Sequence, residues 1–562
     1  MKGSTPGTAV HGGTRLIRGV AVLGLAAAIS KLLGTLQKIP LQNLAGDEAY
    51  GIYSAVYPFY VLVLFLATAG LPAAVSKLVS EQAALGNWRE ARRIYRLSSY
   101  LLTGTGIAAF LFLYAGAGLI ASWIGSAQAE QALRSVSYAL LIVPLMAAGR
   151  GYYQGLQNMI PTAVSQVVEQ TVRVAVMIGL LLYLTGAGES SGTIAAGAAF
   201  GSVAGAAAGL AVMLWIDMRD RPRRLAGIRT SSREARLPAS VLMRSIIRYA
   251  MPVALGSIVV PIINMIDSFT LPRLLVISQG LSDSEALHEF GIYARGLPLV
   301  QLVSMLFSAM SAALVPSLSE AKVQGQEEMV RRRADLTLWL TWLIGLAASA
   351  GLMAVSLPVN IMLFTDANGT VTMMIVAWTA VFSSLNVVST AILQGISQER
   401  LPAIHLLIAA LLKVILNLLL IPVLGINGAA WSGVVAYAAA SLLNIRAIMK
   451  HIGLRRGMKE AAGKPLLAVI TMVICVLIVY SGLTWLAVVL GADAEGRGWN
   501  TISALVLIPF GAAVFGLASL ASGAIGAAEL MLLPGAGEKL VPLLRRLRLL
   551  RGGREDSAED SA

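Results

Sequence analysis

Long apolar stretches alternate with short polar stretches along almost the whole chain. Each apolar stretch holds roughly 20 residues or more, which is the length that an α-helix needs to cross a bilayer. The stretches are too long and too rich in Leu, Ala and Gly to be strands of a membrane barrel. The pattern predicts fourteen membrane-spanning helices, at residues 17–43, 51–79, 97–120, 134–158, 161–184, 193–216, 245–272, 291–318, 336–361, 371–396, 401–422, 426–449, 465–490 and 499–527.

The polar segments between these spans indicate an orientation. If the amino terminus faces the cytoplasm, the outer loops hold ten acidic residues and three basic ones. The inner loop 217–248 alone holds nine arginines, and the inner loop 446–464 holds six basic residues. This positive-inside distribution predicts a multi-pass protein of the cell membrane with both termini in the cytoplasm.

The composition agrees with an all-α polytopic membrane protein. Of the 562 residues, 57% are hydrophobic and only 13% are charged, and the mean hydropathy is +0.75. A soluble chain of this length needs more charge to cover its surface. The net charge of +14 follows from the basic inner loops, so it does not indicate nucleic-acid binding, which favours basic residues on one soluble face.

Residues with catalytic or metal-binding chemistry are scarce. The four histidines are scattered along the chain without the spacing of a metal site or a catalytic triad. The single Cys475 excludes an internal disulfide and a cysteine metal cluster. There is no glycine-rich nucleotide loop, so ATP does not drive the protein directly. We therefore expect a transporter without a cofactor or metal, and not an enzyme.

The sequence contains an internal repeat. At a constant offset of 240, Gly51, Ile52, Tyr53 and Pro58 match Gly291, Ile292, Tyr293 and Pro298. After a slip of one residue the segment 80–93 matches 319–332, and QGLQNMIP at Gln154 resembles QGISQERLP at Gln394. Six spans separate the copies, and because six is even, the copies share an orientation. We predict two parallel six-helix lobes with a central cleft between them, which rock to give alternating access.

This organisation divides the chain into six segments. They are a disordered N-terminal tail at 1–14, an N-lobe at 15–220, a basic cytoplasmic linker at 221–244, a C-lobe at 245–450, two extra helices at 464–527, and a basic then acidic cytoplasmic tail at 538–562. The extra helices stand outside the repeat, so we expect them to have a separate role.

Seven charged residues of the predicted spans are candidates for a role in transport, because an ionised side chain inside a membrane is costly and usually functional. Five are cations and two are acids: Lys31, Lys38, Arg173, Arg295, Lys413, Glu169 and Asp267. A cavity with that balance favours an anion, and arginine and lysine suit a phosphorylated one. The prediction depends most on Lys31, Arg295 and Lys413, because none of them has an acid within one helical turn.

Five of these residues have other interpretations, and the first is Lys38, which is six residues from the outer end of its span and can reach the interface. Arg295 is only four residues into its span, so it can reach the interface or pair with Glu289. Glu169 precedes Arg173 by four positions, so the two can pair along one helix face. Asp267 either neutralises a lysine or binds a coupling cation.

Four segments are distinctive: SKLLG at Ser30, AGLPAAVSKLVSEQAALGN at Ala69, QGLQNMIPTAVSQVVEQTVRV at Gln154 and GIYARGLPLVQL at Gly291. They resemble the MurJ-like flippases of the multidrug/oligosaccharidyl-lipid/polysaccharide (MOP) exporter superfamily. Within that superfamily they are most similar to the Gram-positive branch that includes stage V sporulation protein B. The resemblance covers most of residues 15–530.

The resemblance implies a fourteen-helix transporter that moves lipid II, an undecaprenyl-pyrophosphate-linked peptidoglycan precursor, to the outer leaflet. It implies that Lys31 stands in place of a first-span arginine and that Arg295 is the eighth-span arginine of the family. An Arg-Asp pair of the Gram-negative members falls on Gln37 and Lys38 here, and their second-span arginine falls near Leu62. The last two spans are implied to form a groove for the lipid tail.

Several alternatives stay open at this point. The substrate is lipid II, or another lipid-linked oligosaccharide such as a teichoic, capsular or sporulation-specific precursor, and an exporter of organic cations is a third possibility. Transport is driven by the membrane potential or coupled to Na⁺ or H⁺, with Asp267 as the candidate group. The expected partners are the lipid-linked pyrophosphate and membrane lipids, without nucleic acid. The sequence does not specify an oligomeric state.

Overall fold

The computed structural model describes residues 7–68, 70–222, 238–257, 259–454 and 458–525, with side chains except at 7–20, 251–260 and 458–462. Within these ranges the chain forms α-helices and no strand. Most of the predicted basic linker, at 223–237, and the whole C-terminal tail lie outside the described residues.

The helices follow the apolar stretches of the sequence. The first nine are α1 (Gly7–Leu36), α2 (Lys38–Thr68), α3 (Leu71–Ala84), α4 (Trp88–Ala115), α5 (Ala117–Ile124), α6 (Ala129–Ser137), α7 (Ala139–Gly155), α8 (Ile160–Gly186) and α9 (Ser191–Arg219). The next six are α10 (Ala239–Ser257), α11 (Val259–Gln279), α12 (Asp283–Ala294), α13 (Leu297–Val323), α14 (Glu327–Ala354) and α15 (Ser356–Phe364). The last six are α16 (Thr370–Ala377), α17 (Thr379–Gly395), α18 (Arg400–Leu424), α19 (Ile426–Ile452), α20 (Met458–Val489) and α21 (Arg497–Ala521).

Twelve helical segments in the described residues are long and apolar enough to cross a membrane. This confirms the all-α, membrane-spanning class. The segment Ala21–Ala84 covers the first two predicted spans, and the total of fourteen stays a prediction. Large apolar side chains such as Leu182, Tyr183 and Ile478 are exposed, as expected for helix faces that contact lipid.

Two helix boundaries differ from the prediction. Helix α1 begins at Gly7, inside the predicted tail 1–14. Extending a helix costs far less than nucleating one, and residues 7–16 contain no proline that would stop the extension. Helix α12 begins at Asp283 and has 12 residues. Arg295 directly follows this helix, about 18 Å from its first residue by helical rise.

The described helices group into two compact units. Unit 1 comprises Met1–Ala294 and Asn417–Gly425, and unit 2 comprises Arg295–Leu416 and Ile426–Ala562. Val75, Ile94 and Met146 belong to the buried core of unit 1. The core of unit 2 includes Met472 of α20 and Leu507 of α21, so the two extra helices pack on that unit. The division into repeat lobes and the lipid-tail groove stay predictions.

Unit 1 contains a close crossing of the repeat-related helices α2 and α12. A Cβ atom at Gly51 would lie 1.9 Å from the carbonyl oxygen of Leu287, and one at Gly291 would lie 2.0 Å from that of Asp47. The repeat offset relates the two contacts to each other, so the crossing has approximate two-fold symmetry. Only glycine lets two helix backbones approach this closely.

Candidate functional site

Arg173 of α8 lies against tyrosines of α2. Its Nη2 donates to Tyr53 Oη at 3.0 Å, and its Nη1 donates to Tyr57 Oη at 3.3 Å. The guanidinium carbon also lies 5.1 Å from the centre of the Tyr57 ring, within the range of a cation–π contact. A phenol is uncharged as it accepts these bonds, so the contacts orient the guanidinium without cancelling its charge.

Close packing of α8 on α9 fixes the position of Arg173. A Cβ atom at Gly205 would lie 2.7 Å from Arg173 Cβ, and one at Gly201 would lie 2.8 Å from the Arg173 carbonyl oxygen. These glycines are four residues apart, so they form one small-residue stripe along α9 that lets α8 approach.

Aromatic contacts continue along α2. The ring centres of Tyr53 and Tyr57 are 5.6 Å apart, and those of Tyr57 and Tyr60 are 5.9 Å apart. Lys38, at the start of α2, is half-buried and lies within electrostatic reach of Arg173. We call Lys38, Tyr53, Tyr57, Tyr60 and Arg173 the basic–tyrosine cluster. It offers two cations and three hydroxyls, which are the donors that a phosphate oxygen accepts best.

Glu169 pairs with Arg150, and not with Arg173. Arg150 Nη2 donates to Glu169 Oε2 at 2.7 Å and to Ser165 Oγ at 2.8 Å. The predicted Glu169–Arg173 pair is therefore wrong, because α7 brings a different guanidinium to the carboxylate. The acid nearest to Arg173 in the sequence is thus neutralised by another residue. The basic–tyrosine cluster keeps its positive charge as a result.

Lys31 lies on α1, which packs against α8, and Ser30 Oγ donates to the Gln166 carbonyl oxygen at 3.3 Å. The Lys31 side chain is exposed. Among the described residues its ammonium group has no hydrogen bond or ion pair. The structure therefore does not bring Lys31 into the basic–tyrosine cluster, although both belong to unit 1.

Arg295 is buried in unit 2, with 1% of its surface exposed. Its Nη1 and Nη2 donate to the two carboxylate oxygens of Asp366, at 2.7 and 3.0 Å. Nη1 also donates to the Asn368 carbonyl oxygen at 3.2 Å. This corrects the prediction of an unpaired cavity cation and the alternative pairing with Glu289. The partner lies 71 residues further along the chain, so no local pattern indicates it.

Asp267 of α11 lies in a buried polar group within unit 1. Tyr293 Oη donates to Asp267 Oδ2 at 2.7 Å, and Asn417 Nδ2 donates to Asp267 Oδ1 at 3.1 Å. Asn417 Nδ2 also lies 2.7 Å from Thr270 Oγ1. We call Asp267, Thr270, Tyr293 and Asn417 the aspartate cluster. Lys413, one helical turn before Asn417 on α18, is 4% exposed.

Three partners of the predicted residues are not indicated by local spacing in the sequence: Arg150, Asp366 and Asn417. Arg150 had a signal, since it is a charged residue inside the predicted span 134–158. Tyr53 and Tyr293 also had one, because they occupy the same place in the two copies of the repeat. The structure shows that these equivalent tyrosines differ in role, since one accepts from a cation and the other donates to a carboxylate.

Family models and known proteins agree with this architecture. The model described as polysaccharide biosynthesis protein matches residues 16–322, which is more than half of the chain, and the MatE model matches residues 252–419. The chain belongs to the polysaccharide biosynthesis protein family. Membership in this family confirms the resemblance to MurJ-like members of the MOP exporter superfamily, whose proteins are integral membrane transporters.

Three relatives from Bacillus subtilis (strain 168) are similar over most of the chain. The uncharacterized membrane protein YabM is 32% identical over 529 residues, which cover 94% of this chain and 96% of YabM. The lipid II flippase MurJ is 28% identical, with 78% of this chain and 84% of MurJ covered. Stage V sporulation protein B is 25% identical, with 82% and 88% covered.

A solved structure of lipid II flippase MurJ in an inward closed conformation has the same fold. Its TM-score with this family member is 0.61 at 14% sequence identity, and the match covers 89% of this chain and 98% of the solved chain. At that identity the likeness concerns the fold alone.

Proposed function

We propose that this protein is a flippase that moves lipid II, an undecaprenyl-pyrophosphate-linked precursor of the cell wall, from the inner to the outer leaflet. The observation that carries the proposal is the set of hydrogen bonds and ion pairs around Arg173. Its guanidinium is oriented by two neutral phenols, and the nearby carboxylate of Glu169 is paired with Arg150. An oriented cation with its charge intact is suited to a pyrophosphate.

The cost of moving the headgroup explains why such cations are needed. Burying one ionised group without a partner costs several kcal/mol or more, so a pyrophosphate does not cross hydrocarbon unaided. A cationic cleft that opens alternately to each side lowers this cost while the polyprenyl tail stays in the lipid. An inside-negative potential adds about 2.3 kcal/mol per unit charge for each 100 mV as the anion moves outward.

Two relationships to known proteins support this substrate. The relative named lipid II flippase aligns over most of both chains, and the matching family model carries the description polysaccharide biosynthesis protein. The proposed reaction is transport without covalent chemistry. In the proposed orientation, the basic loops and both termini face the cytoplasm.

Depletion of the cell's own lipid II flippase provides the test. We expect this chain to restore growth and the accessibility of lipid II at the outer leaflet, and Arg173→Gln to restore neither although it reaches the membrane in equal amount. If the wild-type chain leaves lipid II inaccessible, the substrate is wrong. Export of a teichoic or capsular precursor in the same cells would then identify the alternative substrate.

The MatE match and the aspartate cluster favour cation coupling as a second property of the transporter. We propose that Asp267 couples transport to Na⁺ or H⁺. The carboxylate, hydroxyl and amide oxygens of the cluster are hard ligands of the kind that small cations prefer. Asp267→Asn keeps the acceptor for Tyr293 and removes the charge. We expect this variant to transport without a response to Na⁺ or to a pH gradient.

An exporter of organic cations predicts a different outcome for the same variants. Such a protein depends on carboxylates in its cleft, so Asp267→Asn would abolish drug resistance while Arg173→Gln would leave it intact. Loss of transport in Arg173→Gln alone supports the anionic substrate.

A further inference from the structure

Unit 2 contains a basic pocket at the end of α19 that the proposed transport function does not use. The cavity has a volume of about 400 Å³. Its lining residues come from the ends of α13, α17 and α19 and from the first turns of α14, and they include Lys322, Glu327, Arg331, Lys450 and His451. Three lysine or arginine residues and one histidine thus face a single carboxylate. We call this cavity the α19 pocket.

Two of the cations are held in place by backbone carbonyl groups. Lys322 Nζ donates to the Ile396 carbonyl oxygen, and Arg331 Nε donates to the Ile452 carbonyl oxygen at 2.8 Å. A lysine has three donors and an arginine has five, so each side chain is oriented and still has donors to offer. The pocket therefore presents fixed cations, which lose less side-chain entropy on binding than free surface lysines do.

The internal repeat provides a comparison for Arg331. Its equivalent in the first half is Arg92, and both arginines reach the cytoplasmic end of the last helix of their own half. Arg92 meets a carboxylate there, with Nη1 and Nη2 donating to the Asp217 oxygens at 2.9 and 3.0 Å. Arg331 meets only the Ile452 carbonyl oxygen among the described residues, and the α19 pocket lies beside it.

Among the described residues, only the first half pairs this arginine with a carboxylate. In the first half the chain itself supplies the anion, as Asp217. In the second half the same guanidinium lines a cavity together with Lys322 and Lys450. Gly453 directly follows Ile452 in the chain. A Cβ atom at Gly453 would lie 3.7 Å from the Arg331 guanidinium, so this glycine leaves the face of the guanidinium uncovered.

From this comparison we propose that the α19 pocket binds a phosphate-bearing anion. Arginine and lysine bind phosphate through charge-assisted hydrogen bonds, and basic pockets between membrane helices on the cytoplasmic side accept acidic lipid headgroups. The phosphate belongs either to a lipid of the inner leaflet or to a soluble compound. The residues of the pocket are separate from the basic–tyrosine cluster of unit 1, so the proposal does not depend on the proposed transport substrate.

The test uses the full-length purified protein and two probes. Lipid binding is measured by native mass spectrometry after exchange into nanodiscs of phosphatidylglycerol or of zwitterionic phosphatidylcholine. Soluble binding is measured by equilibrium dialysis with radiolabelled inorganic pyrophosphate. The variants are Lys450→Gln and Arg331→Gln. Arg446→Gln is the matched control, because it removes one positive charge a single turn earlier on α19 and does not line the pocket.

We expect saturable binding of one probe that weakens about tenfold in each pocket variant and is unchanged in Arg446→Gln. Phosphatidylglycerol as that probe identifies a lipid site, and pyrophosphate identifies a soluble ligand. Lys450 is exposed and has no hydrogen bond to a described residue, so Lys450→Gln reports on binding even if Arg331→Gln destabilises the fold. The absence of saturable binding of either probe, or an equal loss in Arg446→Gln, overturns the proposal.

Discussion

The guanidinium of Arg295 and the carboxylate of Asp366 lie face to face, joined by hydrogen bonds of 2.7 and 3.0 Å. The two residues differ in environment, since Arg295 is 1% exposed and the Asp366 side chain is 39% exposed. Water can solvate Asp366 when its partner is removed, whereas it cannot reach Arg295. The pair is therefore asymmetric, and the effect of its loss depends on which partner is changed.

This asymmetry predicts the stability of variants at the pair. We expect Asp366→Asn to destabilise the protein by up to about 3–5 kcal/mol, because it leaves a buried cation without its counter-ion. Arg295→Met should cost less, since Met is apolar and Asp366 is partly hydrated. The double variant should be more stable than Asp366→Asn alone. Thermal unfolding of purified protein measures all three, and an Asp366→Asn variant as stable as wild type would contradict the ion-pair argument.

Arg173 is the residue on which we expect transport to depend most. Arg173→Gln should reduce lipid II transport at least about tenfold, because a charge-assisted bond to phosphate is worth more than a neutral one. Tyr53→Phe removes only one neutral hydrogen bond that orients the guanidinium, so we expect a loss of a few fold. Outer-leaflet accessibility of lipid II measures both effects. A Tyr53→Phe variant weaker than Arg173→Gln would reverse this ranking of roles.

Lys31 offers a test of charge without a large effect on folding. Its side chain is exposed, so Lys31→Gln should unfold at the wild-type temperature and still lose transport. Lys31→Arg keeps the charge and should retain transport. Complementation of flippase-depleted cells distinguishes the two variants. Full activity of Lys31→Gln would exclude Lys31 from the predicted cationic cavity.

The crossing of α2 and α12 predicts a steric effect at Gly291. We expect Gly291→Ala to push the two helices apart and to lower the unfolding temperature, because a methyl group there would lie 2.0 Å from the Asp47 carbonyl oxygen. Gly104→Ala is the matched control, since Gly104 lies within a helix and a methyl group there would have nothing within 4 Å. The control should be neutral or slightly stabilising. Equal effects in both variants would mean that the crossing tolerates a side chain.

Much of the fold follows from local properties of the sequence. Apolar runs of membrane length have to satisfy their backbone hydrogen bonds internally, so they form helices wherever they occur. The breaks inside these runs were harder to predict. The chain turns at Arg295 and Gly296 between α12 and α13, and an apolar context on both sides hides that turn from hydropathy.

The candidate site was predictable in its residues and not in its pairings. Arg173 and Asp267 were identified because a charge in an apolar run is conspicuous, and the structure brings the tyrosines of the repeat to both. Glu169 shows that sequence spacing alone does not identify the partner of an ion pair. A separation of four residues allows a pair with Arg173, but the packing of α7 against α8 gives the carboxylate to Arg150 instead.

The sequence by itself determined that this protein is helical, spans a membrane, repeats a glycine-isoleucine-tyrosine motif and holds more cations than acids in its spans. These properties are set residue by residue, by hydropathy, helical rise and charge. Only the tertiary structure decided which cations keep their charge available. Arg295 is paired with a carboxylate and Arg173 is held by neutral phenols, because ion pairing depends on how neighbouring helices are rotated and packed, and residues far apart in the chain supply the partners.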